Sequence, residues 1–191
     1  MIDIFDNISP TLLKIIYLAA INSGSWKFKY PESFSFDDRF AKIDVISMTA
    51  AEPMLSGLAA ALLCTIYDSK QTKYFDPSLI AYCGISMKDK GLGEDNIHTD
   101  HDPTKEEFDP RLPFDEFKLI KLVGVLNEDW TTETDGGTFE CDGEEVEMKP
   151  GRFVLFNPRK PHRAGKVLSN KKRLALDLAV NPSPYYNMNY G

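Results

Sequence analysis

The sequence has few cysteines and no long apolar run, and each shortage argues against a class of protein. Only three of its 191 residues are cysteine, at positions 64, 83 and 141. They form no CxxC pair, so a thiolate zinc site and a disulfide framework are both poorly supported. The longest uncharged apolar stretch, residues 53–67, is shorter than the roughly 18–20 residues that span a bilayer.

Basic charge is also scarce, both at the N-terminus and in the chain as a whole. The first ten residues contain two acids and no base, which argues against a secretory signal. The formal net charge is −7, so neither nucleic acid nor a membrane is expected as a partner. These features together predict a protein of the reducing cytoplasm.

Two helices are predicted in the first 70 residues, and the first of them is expected to be largely buried. Ser9 and Pro10 form a helix start, with serine as the N-cap and proline at the first helical position. The run 22–24, Asn-Ser-Gly, ends this helix. A second helix is predicted over residues 53–68, where leucine and alanine recur at helical spacing. Residues 25–45 show no clear period, and we interpret them as an ordered connection.

Short strands and turns dominate the rest of the chain. Asp135-Gly136-Gly137 and Asp142-Gly143 are typical of hairpin turns. The predicted strands cover residues 79–86, 96–100, 118–126, 138–141, 152–156 and 173–180. Helices followed by many short strands predict an α+β fold with an antiparallel sandwich or barrel.

The composition fits one globular domain. Hydrophobic residues make up 42% of the chain and charged residues 27%, and the length is within the usual range for a single core. We expect residues 1–70 to form a helical support and residues 71–180 a strand-rich core. The uncharged segment 181–191 is expected to be a tail.

A candidate metal site lies in the sequence Ile97-His98-Thr99-Asp100. In an extended strand, side chains at i and i+2 point to the same face, so His98 and Asp100 would converge. His162 follows a short apolar strand and a turn, and it is the candidate third ligand. Two imidazoles and one carboxylate leave up to three positions of an octahedral ion open. This facial triad is associated with non-haem Fe(II) oxygenases.

A surface position is the alternative for each of these side chains. A short HxD motif is weak evidence by itself, and HTDHD also fits a solvated polar turn. The small number of histidines, and hairpins that could return His162 to His98, favour the metal site. His101 would lie on the opposite strand face from Asp100, so we expect it at the surface or supporting the ligands.

Arg173 is a candidate anion-binding residue at the start of the strand RLALDLAV. Leucines alternate on one face of this strand, and the other face contains Arg173, Ala175, Asp177 and Ala179. An inward-pointing arginine needs an anion, and guanidinium pairs bidentately with a carboxylate. Residues 159–173 contain seven basic residues and no acid, which could steer an anionic ligand. The alternative is a rim arginine and an exposed basic loop.

These motifs, taken in order, resemble the 2-oxoglutarate- and Fe(II)-dependent dioxygenases of the prolyl-4-hydroxylase-like group, in their compact bacterial or viral form. The resemblance covers residues 79–180, slightly over half of the chain. The residues that carry it are His98-x-Asp100, Leu126-Asn127-Glu128-Asp129-Trp130, Gly136-Gly137, the PGRFVLF strand at 150–156, Pro161-His162 and Arg173.

The resemblance implies a double-stranded β-helix, or jelly roll, with the N-terminal helices packed on one sheet. It implies that His98, Asp100 and His162 hold Fe(II) and that Arg173 pairs with the distal carboxylate of 2-oxoglutarate. Tyr82 resembles a family tyrosine that contacts this co-substrate. Hypoxia-factor prolyl hydroxylases have another tyrosine just before the Leu-Asn pair, where this chain has Val125.

The activity that the resemblance implies is hydroxylation of a substrate C–H, above all in a peptidyl proline. Dioxygen and 2-oxoglutarate are consumed, succinate and CO2 are formed, and ascorbate is a candidate reductant. The expected partner is a peptide or protein, in the host cytoplasm if the source is viral. Alternatives are the same chemistry on a small molecule or another side chain, a cupin-like zinc or nickel protein, and a non-enzymatic interaction domain. Oligomeric state is left open.

Overall fold

The computed structural model describes residues 2–6, 8–28, 40–47, 52–70, 74–92, 96–100, 118–184 and 186. Within them the chain forms ten strands and three helices. In chain order these are β1 Ile2–Phe5, α1 Pro10–Ile21, β2 Lys27–Phe28, β3 Phe40–Ile46, α2 Pro53–Lys70, β4 Phe75–Lys88, β5 Ile120–Val125, α3 Thr132–Asp135, β6 Phe139–Cys141, β7 Glu144–Val146, β8 Phe153–Phe156, β9 His162–Ala164 and β10 Arg173–Pro182.

The strands form two antiparallel sheets. The large sheet has the order β1-β8-β5-β10-β4-β3-β2, and the small sheet has the order β7-β6-β9. The two sheets face each other across an apolar core to which Val125 and Phe156 contribute from the large sheet and Phe139 and Val146 from the small one. This arrangement confirms the predicted α+β class with strands folded into a jelly roll.

Helices α1 and α2 cover the other face of the large sheet. Leu13 and Ile16 of α1 and Leu62 of α2 are buried in one cluster with Leu176 and Leu178 of β10. Because side chains alternate between the two faces of β10, its leucines pack under the helices and its opposite face lies between the sheets. No helix in the described part of the chain combines the length and hydrophobicity that a membrane span requires.

The N-terminal third contains strands that the sequence analysis missed. Residues 40–46, interpreted as part of a connection, form β3, which pairs with β4. Its Ala41, Ile43 and Val45 are fully buried, so the period-2 signal is present but short and preceded by an aperiodic stretch. Strand β1 pairs with β8 at the edge of the large sheet. Isolated short strands of this kind depend on distant partners for stability.

The predicted strand over residues 96–100 is also shorter in the structure. Only His98 pairs with another strand, in an isolated bridge to His162. By contrast, β4 starts at Phe75 and continues to Lys88, which is longer than the predicted strand at each end.

Candidate active site

The structure brings His98, Asp100 and His162 together at one point between the sheets. One potential ligand atom from each lies within 4.8 Å of the other two. The Nε2 atoms of His98 and His162 lie 3.6 and 3.5 Å from Oδ1 of Asp100. A single carboxylate oxygen therefore faces both imidazoles, as it must in order to share an ion with them.

Backbone hydrogen bonds hold the two histidine segments side by side. The His98 N–H donates to the His162 carbonyl over 3.0 Å, and the His162 N–H donates to the His98 carbonyl over 2.8 Å. The Asp100 N–H donates to the Pro158 carbonyl over 3.0 Å. The spacing of the ligands thus depends on pairing between segments that are 64 residues apart in sequence.

The ring of His162 packs against two phenylalanine rings. Its centroid lies 4.9 Å from the ring centroid of Phe156, and Phe139 also contacts it. Nδ1 lies 2.8 Å from the Lys160 carbonyl, which can only accept, so Nδ1 carries a proton and Nε2, which faces Asp100, is the nitrogen available to a ligand once it is deprotonated. The donor set of two imidazole nitrogens and one carboxylate oxygen fits Fe(II), and Zn(II) and Ni(II) are competitors for the same atoms.

Lys121 of β5 contacts the other oxygen of Asp100. Its Nζ lies 2.6 Å from Oδ2 of Asp100 and 3.1 Å from Oδ2 of Asp177. This lysine was not predicted from the sequence, since one charged residue in an apolar strand is a weak signal. Its position on the face shared with Val123 and Val125 was the available clue.

These contacts set the charge states of the group. Burial opposes ionisation of Asp100, but the hydrogen bond from His162 and the charge of Lys121 prevail and hold the pKa of this carboxyl well below its usual range. Burial opposes protonation of His162 too, but Asp100 and the Lys160 carbonyl prevail and raise its pKa. For Lys121, burial is likewise outweighed by Asp177 and Asp100, which raise its pKa. A cation bound at this site would take the place of the proton on Nε2 of His162.

A cavity of about 120 Å³ lies between the sheets, and its lining includes Arg173, Lys88 and Gly137. It also includes Phe139, which contacts His162, and Asp177, which pairs with Lys121. The remaining lining residues are small or apolar, apart from one serine, and comprise Ser86, Val123, Gly124, Val125, Met148, Ala164 and Ala175. The cavity is thus an apolar slot with a cationic end.

Arg173 is 4% exposed, so the structure excludes the alternative of a solvent-facing rim arginine. Its Nη1 donates to the Gly165 carbonyl over 3.0 Å. The neighbouring basic residues differ, because Lys171 and Lys172 are exposed and pair with acidic side chains. Within the basic segment, Arg173 is therefore the residue that places its charge inside the protein, on the wall of the cavity.

Gly137 makes room for this guanidinium. It has φ +78°, and a Cβ at this position would collide with Nη1 of Arg173. We expect Gly137→Ala to displace Arg173 and to weaken binding of a dicarboxylate in the cavity by about tenfold or more, a loss of one charged contact. Gly143→Ala is the matched control, because Gly143 has φ +82° with no atom near its Cβ position. Equal affinities of the two variants would contradict this role.

Val125 lines the cavity and, being a valine, offers it no polar group. It is in register with Ala175 of β10, and Ser86 of β4 is in register with Ala175 on the other side. Ser86 thus offers a hydroxyl across the strand from the position where hypoxia-factor enzymes have a tyrosine. Ser86 and Lys88 were not predicted from the sequence, since only strand pairing places them beside Arg173.

Tyr82 lies farther along β4 and is not among the described residues that line the cavity. Its hydroxyl covers Gly84, and Lys42 Nζ lies 4.7 Å from its ring centroid. Burial, together with the charges of Asp177 and Asp44, raises the pKa of Tyr82 well above its ordinary value. Its contact with a co-substrate stays a prediction.

His101, the tail and Trp130 were also considered in the sequence. His101 lies outside the described residues, and so does most of the tail. Trp130 is fully buried, and its indole N–H donates to the Gly136 carbonyl over 3.0 Å. It therefore supports the turn that presents Gly137 to Arg173.

No protein-family model matches the sequence, and a search of the curated proteins finds no match. Solved structures do match. A prolyl-4-hydroxylase from Pseudomonas putida is 19% identical, with 94% of this chain and 91% of that chain covered and a TM-score of 0.58. A prolyl hydroxylase from Trichoplax adhaerens, in complex with a hypoxia inducible factor peptide, is 18% identical, with coverage of 100% and 87% and a TM-score of 0.57.

A third structure is HygX from Streptomyces hygroscopicus, with nickel and 2-oxoglutarate bound. It is 12% identical, with 96% of this chain and 83% of that chain covered and a TM-score of 0.60. At these low identities, the similarity shows the fold alone. The chain has the double-stranded β-helix fold of the 2-oxoglutarate oxygenases, in the compact form of its prolyl-4-hydroxylase-like structural neighbours.

Proposed function

We propose that this protein is an Fe(II)- and 2-oxoglutarate-dependent dioxygenase that hydroxylates a substrate C–H. The observation that carries the proposal is a cavity that has buried Arg173 in its lining and is linked to the triad by two other lining residues. Phe139 contacts His162, and Asp177 pairs with Lys121, the lysine that holds Asp100. A five-carbon dicarboxylate with a keto group beside one carboxylate has matching chemistry. Its keto acid end chelates a metal, its methylenes contact apolar walls, and its distal carboxylate pairs with a guanidinium.

The residues of the chain have separate tasks in this proposal. His98, Asp100 and His162 would hold Fe(II), which supplies the dioxygen chemistry that couples decarboxylation of 2-oxoglutarate to C–H hydroxylation. Arg173 orients the co-substrate and fixes its depth in the slot. Val125, Phe139 and the other apolar lining residues exclude water from the site.

Anaerobic addition of Fe(II) and then 2-oxoglutarate to the metal-free protein tests the proposal without a substrate. We expect the visible charge-transfer band of a chelated Fe(II)–2-oxoglutarate complex in the wild type and no such band in His162→Ala. Lys160→Ala is the control, because its side chain is 49% exposed while its backbone carbonyl, which orients His162, is unchanged.

The outcomes separate the competing functions. A folded wild type that binds iron without forming the band would favour a cupin-like zinc or nickel protein, in which Arg173 has no task. A wild type that binds no metal would favour a non-enzymatic interaction domain. Zn(II) or Ni(II) is expected to suppress the band by occupying the same ligands.

A peptidyl proline is the substrate that we propose first. Support comes from the neighbours, which include a prolyl hydroxylase in complex with a peptide. A polar small molecule is the second candidate, because Lys121 and Asp177 place two charges beside the triad, where a proline ring would make apolar contacts. Succinate formation stimulated by proline-containing peptides, with addition of one oxygen atom in their mass spectra, would support the first. Stimulation by polar metabolites alone would support the second.

A further inference from the structure

The ion pair of Lys121 and Asp177 lies next to the candidate metal site, on the same face of the large sheet. Lys121 is in register with Ala179 of β10, so Asp177 is its diagonal neighbour, within reach of a long side chain. The lysine side chain is 19% exposed, and one of its contacts is the ligand residue Asp100. The pair therefore joins the candidate ligand Asp100 to the wall of the cavity.

The two oxygens of Asp100 have different partners. Oδ1 faces the imidazoles of His98 and His162 at 3.6 and 3.5 Å, and Oδ2 is held by Lys121 at 2.6 Å. A carboxylate fixed in this way presents one oxygen to a metal ion and cannot swing to present both. Partners of this kind orient metal ligands, and their loss typically changes metal affinity by 10–100-fold.

A lysine in this position creates an electrostatic problem. Its charge would cancel that of Asp100, which is the one charged ligand of the group. Asp177, 3.1 Å from the lysine, restores one net negative charge to the set of Asp100, Lys121 and Asp177. Its other oxygen, Oδ1, is buried with no hydrogen-bond partner in the described part of the chain, so the carboxylate is placed here at a cost in desolvation.

We infer that Lys121 and Asp177 are positioning residues for the metal centre, with opposite electrostatic effects. Lys121 locks Asp100 into one-oxygen coordination and so keeps positions open for a chelating co-substrate. Asp177 supplies the negative charge that lets a divalent cation bind beside a lysine. This inference rests on the proposed function for its co-substrate part, but its metal part does not depend on 2-oxoglutarate.

The test measures two affinities for each of two nearly isosteric variants. Co(II) affinity of the metal-free protein is measured by competition with a chelator. The affinity for 2-oxoglutarate is measured from the charge-transfer band at saturating Fe(II) without oxygen. Asp177→Asn leaves the metal site formally neutral, so we expect Co(II) affinity to fall by about tenfold or more while 2-oxoglutarate affinity is maintained or increased.

Lys121→Met is expected to change the two affinities in the opposite directions. It leaves two net negative charges and releases Oδ2 of Asp100, so Co(II) affinity is expected to be maintained or increased. Affinity for the dianionic 2-oxoglutarate is expected to fall by about tenfold or more, because a freed carboxylate oxygen competes for an open position. Lys118→Met, which replaces a neighbouring exposed lysine, and Asp44→Asn, which replaces a lysine-paired carboxylate on the same sheet, are the controls.

Opposite changes in the two variants support the inference, since damage to packing would lower both affinities in both variants. Parallel losses, or values equal to those of the controls, would overturn it. A wild type that binds Co(II) but never forms the Fe(II)–2-oxoglutarate band would refute the proposed function. The effect of Asp177→Asn on Co(II) affinity would still decide the metal part of the inference.

Discussion

Asp100→Ala is expected to abolish iron-dependent turnover while the protein stays folded. The substitution removes the only carboxylate of the candidate triad, so the loss of metal affinity should exceed the roughly 10–100-fold that follows loss of a residue behind a ligand. The fold is expected to tolerate it, because Asp100 lies in a short bridged segment and its side chain is 22% exposed. Lys121 keeps a partner in Asp177.

Co(II) affinity, 2-oxoglutarate decarboxylation and thermal unfolding of the metal-free protein are the measurements for Asp100→Ala. Asp142→Ala is the control, since its carboxylate is 48% exposed and lies outside the triad. Retained iron-dependent turnover in Asp100→Ala would remove this residue from the proposed ligand set. Loss of the folded state itself would assign Asp100 a structural role that the geometry does not predict.

Arg173→Ala is the second substitution with a large expected effect. Removing one partner of a buried ion pair costs about 3–5 kcal/mol, which at about 1.4 kcal/mol per tenfold is roughly 100- to 4000-fold in 2-oxoglutarate affinity. Metal affinity is expected to be unchanged, because Arg173 is not one of the candidate metal ligands. The effect is therefore expected on co-substrate binding alone.

Titration of the charge-transfer band with 2-oxoglutarate measures this effect at saturating Fe(II). Lys172→Ala is the matched control, since Lys172 is adjacent in sequence but exposed and paired with Asp89. Arg173→Lys should recover part of the affinity by restoring the charge without the bidentate geometry. A 2-oxoglutarate affinity unchanged by Arg173→Ala would refute its role as the anion site.

Local patterns predicted the elements whose signals lie within a few residues. The start of α1 is one example, because Ser9 accepts a hydrogen bond from the Leu12 N–H and Pro10 is the first helical residue. The two faces of β10 are another, because alternation of leucine with small and charged residues is a period-2 signal in any environment. Strand β3 was missed because its signal is brief and its neighbours are aperiodic.

The sequence by itself determined the donor types of the candidate site and the face of β10 on which Arg173 lies. Only the tertiary structure decided that His162 pairs with His98, that Arg173 is buried, and that Lys121 lies between Asp100 and Asp177. The physical reason is the range of the interactions. A side-chain period is set by the geometry of the local backbone, whereas hydrogen bonding between strands that are distant in sequence decides which side chains meet.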